Sequence, residues 1–178
     1  AGAGAWGFYL NDCLHGHVHQ HPSVGAGDFV TDAEGWLLKN FEALDLPAHA
    51  TAWLLDVWYL TQFFDDVVDG DLVRSANAHE AIWKAFVTFP ANPFFIANAQ
   101  VLQSALATAV LKWEASHVAE RSQAADERSF MWRAAYYDIV LLVVLLCQGR
   151  ESAMAKAPSV MALYGEKFSD YRAEFPNG

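Results

Sequence analysis

Cysteine is scarce in this chain. Cys13 and Cys147 stand far apart, so they build no disulfide framework and supply no C-x-x-C metal or redox pair. Both read as free thiols in apolar contexts, and a reducing, cytoplasmic compartment is expected. Cations are scarce too: 11 Lys and Arg face 21 Asp and Glu, leaving a net charge of -10 with no basic cluster. Such a field repels phosphate backbones and anionic lipid, so no nucleic-acid partner is expected. The glycine-rich signatures G-x-x-x-x-G-K-[ST], G-x-G-x-x-G and G-x-S-x-G are missing, which removes phosphate-loop, dinucleotide and hydrolase-elbow chemistry. The longest unbroken apolar run, 139–147, has Asp138 at its edge and falls far short of the roughly 20 residues of a membrane helix. No membrane span is therefore expected. The opening AGAGAWGF lacks a basic start and a long apolar stretch, and it does not read as a secretory signal.

Apolar residues are plentiful. At 178 residues, with 54% hydrophobic and 14% aromatic side chains, the chain has material for a core and is expected to form one domain. Residues 1–30 stand apart: they carry six glycines, the alternating run HGHVHQH and Pro22 ahead of a Gly-Ala-Gly turn signal. They read as an arm or loop preceding a helical domain over 31–178. Thr31 and Glu34 fit a capping box for a first helix over about 32–45. Asp45 and Pro47 open a second that Gly70 stops, and Asn77 opens a third that Pro90 closes. Asn92-Pro93 starts a fourth running to about Arg121, Gly149 ends a fifth over about 125–148, and a sixth covers about 159–173. No internal repeat and no period-2 strand series appears. The expected fold is an all-α bundle of about six helices.

Four aspartates crowd into FFDDVVDGDLVR, at the end of the second helix. Asp65, Asp66 and Asp69 fall at i, i+1 and i+4, so Asp65 and Asp69 are expected one above the other. A helix C-terminus is already partly negative, and each anion there is unfavourable by about 0.3–1 kcal/mol. Carboxylates so placed suit a hard divalent cation such as Mg²⁺, which takes one or two protein oxygens and leaves its other positions to water or phosphate. The plainer alternative is a solvated helix end with Arg74 as an ion-pair partner.

The stretch DDVVDGDLVR resembles the first aspartate-rich motif of the trans-isoprenyl diphosphate synthases: D-D-x-x-D, four further residues, then Arg-Arg-Gly. Asp65, Asp66 and Asp69 match its aspartates, and Arg74 matches the first arginine. The shorter D-D-x-x-D is also similar to that of class I terpene synthases and of squalene and phytoene synthases. The resemblance implies an all-α isoprenoid-synthase fold, Mg²⁺ on the aspartates, and an isoprenoid diphosphate ligand that loses diphosphate inside an aromatic-walled cavity. Arg74, Phe63 and Trp58 would then contact substrate, with Trp53, Tyr59 and Phe64 as further wall candidates. Ser75 and Ala76 stand where the family has its second arginine and glycine, and no second aspartate-rich motif follows. The short chain points to a reduced prenyltransferase or terpene synthase, a cavity assembled as a homodimer, or a relic that binds without chemistry. Asp138 is the candidate for the missing second metal arm, set against a tyrosine-bonded carboxylate in the core.

Other constellations are weaker. His15, His17, His19 and His21 alternate as an extended-chain metal site would, or as a histidine-rich arm. Glu114 and His117 are spaced like half of a carboxylate di-metal site; ion pairing of Glu114 and Glu120 with Lys112 and Arg121 on a wet face explains them equally. Two further functions remain in view: an acidic helical interaction or structural protein without catalysis, and an all-α Mg²⁺-dependent nucleoside triphosphate pyrophosphohydrolase.

Overall fold

The computed structural model describes residues 26–176, with side chains from Gly35 onward. The described residues are helical throughout, without a strand, as the periodicity predicts. The order is α1 (Ala26–Ala43), α2 (Ala48–Asp69), α3 (Ser75–Trp83), α4 (Pro93–Arg121), α5 (Glu127–Arg133), α6 (Ala135–Met161) and α7 (Phe168–Glu174). Between α3 and α4 the helix runs on through a π-helical stretch, Lys84–Thr88, and one α-helical turn, Phe89–Ala91. The histidine run at 15–21 and Cys13 lie outside the described residues.

Local chemistry explains most of the boundaries. α2 ends where Gly70 takes φ 79°, letting its N–H reach Val67 O at 3.3 Å while the N–H of Asp71 reaches Asp66 O at 2.9 Å. This double bond is a Schellman closure, and it wants glycine at the left-handed position. α4 starts as Asn92-Pro93 predicts: Asn92 Oδ1 accepts the Phe94 N–H at 2.9 Å, and proline occupies the first turn. Asp126 and Ser129 form a reciprocal capping box that opens α5. Gly149, the expected stop, interrupts α6 with φ 80° and ψ 177° rather than ending it. Helix then resumes to Met161, so the sixth expected helix is divided between this continuation and α7, with 164–167 non-helical. α1 begins at Ala26, running through Thr31 instead of being capped by it, and Pro90 sits within a helical turn instead of closing one.

The described residues fall into two compact units, one up to Ala97 and one from Asn98, with the boundary inside α4. In the first, Leu37 and Phe41 of α1, Leu44 just after it, and Trp53, Leu54, Val57 and Trp58 of α2 are buried. Trp53 is its centre: its ring lies 5.4 Å from Phe89 and stacks on Phe95 at 6.0 Å. In the second, Tyr136, Ile139, Val140, Val143 and Val144 give α6 a continuous buried stripe. Phe130 of α5 anchors a satellite core with Tyr164, Phe168 and Tyr171, each ring within about 5.5 Å of its own.

Both glycine hinges are testable. Gly70→Ala is expected to lower stability by about 1 kcal/mol, and Gly149→Ala by more, about 1–3 kcal/mol, because its φ/ψ pair is nearly restricted to glycine. A Cβ at either position meets open space, so the loss reports backbone conformation alone. Urea unfolding of both variants measures the difference.

Candidate functional site

The aspartate-rich end of α2 is split by its surroundings. Asp65 is buried at 4% exposure among the core-facing residues, Asp66 is half-buried, and Asp69 is exposed. Asp65 and Asp69 share a helical face, but Gly70 ends the helix at once and the last turn is exposed where Asp65 is buried. The Asp66 carboxyl is pushed up from the ordinary range, first by its own desolvation and then by the charges of Asp71 and Asp69. Asp66, Asp69 and Asp71 thus form a mutually repelling anionic tip. Among the described residues, no three His, Cys, Asp or Glu side chains converge closely enough to hold one metal ion.

The other residues singled out from the sequence disperse. Trp58 is buried, Phe63 is half-buried with its ring edge-on to the exposed Phe64 at 5.3 Å, and Arg74 is exposed, preceding α3 in an extended conformation. Asp138 belongs to the second unit. It is not the enclosed carboxylate that its apolar neighbours imply: its side chain is 68% exposed and ion-paired with Lys112. The buried stripe of α6 runs through Tyr136, Ile139, Val140 and Val143, and Asp138 falls off it. Lys112 and Asp138 border an open groove of about 340 Å³ lined by Val101, Ala105 and Ala109 of α4 and Leu142 of α6.

Two buried polar networks were not legible as such. In the first unit, Asp56 of α2 is buried and accepts from Lys84 Nζ at 2.7 Å and Thr88 Oγ1 at 3.0 Å, one oxygen each. The two donors bracket the π-helical stretch, and Lys84 also lies over the Tyr59 ring at 5.3 Å. Burial works to lower the Lys84 pKa, but Asp56 and, more weakly, Glu80 together hold it above the ordinary lysine value.

In the second unit, Arg133 of α5 is 3% exposed and its guanidinium lies 3.5 Å from Glu120 and 3.7 Å from Glu166. Ser116 donates to Glu120 at 3.2 Å and Tyr164 to Glu166 at 2.6 Å; Ser129 and Tyr171 exchange a hydroxyl bond at 2.6 Å. Burial pushes the Glu120 carboxyl up, against the pull of Arg133, Tyr171, Ser116 and His117. The Tyr171 hydroxyl is pushed up to about 12, first by burial. Glu120 and His117 are therefore interior, not members of a wet face, and His117 stacks on Trp113 at 5.6 Å. The available signal was Arg133 among Phe130, Met131, Trp132 and Ala134: a lone cation inside an apolar stretch needs partners.

The fourth feature is the outer face of α4. No charged residue occurs from Ala85 to Leu111, although Asn, Gln, Ser and Thr break the apolar run and hide it from a search for uninterrupted stretches. α4 is long and apolar enough to cross a membrane by length and composition, yet 17% of its most apolar 18-residue window is buried. Val110 is 60% and Leu111 69% exposed, with Val118 also exposed.

Arg133→Met is expected to cost about 3–5 kcal/mol, because two carboxylates lose their shared cation; urea unfolding checks it. Glu120 has a folded-state pKa above its unfolded value, so its ionised form weakens the fold. Stability should rise as pH falls from about 7 toward the unfolded glutamate value of about 4.3, and Glu120→Gln should flatten that rise. Compared with known protein families, with curated proteins and with solved structures, the chain matches none of them.

Proposed function

We propose that this chain is a helical interaction protein that docks through the exposed face of α4. The observation that carries this reading is the low burial of the apolar window of α4, with Val110 and Leu111 turned to solvent. Contiguous apolar surface of this kind marks association sites. The net charge of -10 resides elsewhere on the chain and opposes indiscriminate clumping, which favours a defined contact. The two internal ion-pair networks hold helices together and need no substrate.

A second reading keeps the isoprenoid-synthase resemblance: Asp65, Asp66 and Asp69 as a Mg²⁺ and isoprenoid diphosphate site. Asp65 and Asp69 one turn apart on α2 support it, and a bound cation would offset both the burial and the charges of Asp71 and Asp69 that act on Asp66. Its test is titration of Mg²⁺ with an isoprenoid diphosphate analogue into wild type and Asp65→Asn/Asp69→Asn protein. Binding lost in the variant is the expected outcome; binding absent from both removes this reading.

For the docking reading, light scattering and flotation with phosphatidylcholine vesicles compare wild type with Val110→Glu/Leu111→Glu. Wild type is expected to associate, with itself or with vesicles, and the double variant to remain a free monomer of unchanged helicity. A wild type that is monomeric and vesicle-free, and behaves as the variant does, overturns the reading.

A further inference from the structure

We draw no further inference here: the strongest candidate, the open groove between α4 and α6 bordered by the Lys112–Asp138 ion pair, is an unpartnered apolar trough, and nothing in the structure shows what covers it.

Discussion

A helix as long as α4 can bury its apolar residues only if something lies along its whole length. Leu102 is fully buried, and Ser116 and His117 are buried farther on, yet Leu111, on the opposite side from Leu102, and Val110, two turns before His117 on the same side, stay exposed. Burying apolar area is worth roughly 25 cal/mol per Å², so each exposed large side chain holds about 1.5–3 kcal/mol that folding of one chain leaves unused. That unspent driving force is the physical basis of the docking proposed for α4. Charge decides what sort of association follows, because the acidic residues are absent from the middle of α4 and frequent almost everywhere else.

The ion-pair networks serve a different purpose. Burying Asp56 with Lys84, or Glu120 and Glu166 with Arg133, adds little net stability over an apolar contact of the same volume, because desolvation consumes most of the attraction. Removing one member is costly all the same. Such pairs penalise every arrangement that separates them, so Asp56 selects the register of α2 against the helix carrying Lys84 and Thr88. Arg133 does the same for α4, α5 and the segment that leads into α7. The burial that Arg133 only partly offsets appears as the raised pKa of Glu120.

Termini were the most readable part of the sequence. Gly70, Asn92-Pro93 and the break at Gly149 each act through one or two neighbouring residues, so their signals are local and specific. What stayed hidden depends on residues far apart in the chain. Asp56 reads as one polar residue in an apolar helix until Lys84, 28 positions later, is brought to it. Glu166 reads as a loop carboxylate until Arg133 is placed beside it. The aspartate cluster shows the converse: DDVVD is conspicuous as a string, but an immediate Schellman turn sends its members into three environments, from buried to exposed. The outer face of α4 escaped because its polar residues are uncharged, which lowers the apparent apolarity of the run without supplying charge.

The π-helical stretch at Lys84–Thr88 has a consequence for how this sequence tolerates change. Its widened turn, in which the Phe89 N–H reaches Lys84 O, is what an α-helix becomes when it absorbs one extra residue. Removing a single residue there would restore ordinary α winding and leave the helix on either side close to its present orientation, because the widened turn itself takes up the extra residue. What it would disturb is local: the spacing that aims both Lys84 and Thr88 at Asp56. The segment therefore behaves as slack in the helix, and a one-residue deletion should be better tolerated between Lys84 and Thr88 than in the regular turns of α3 or α4, where it would turn one side against the other by about 100°.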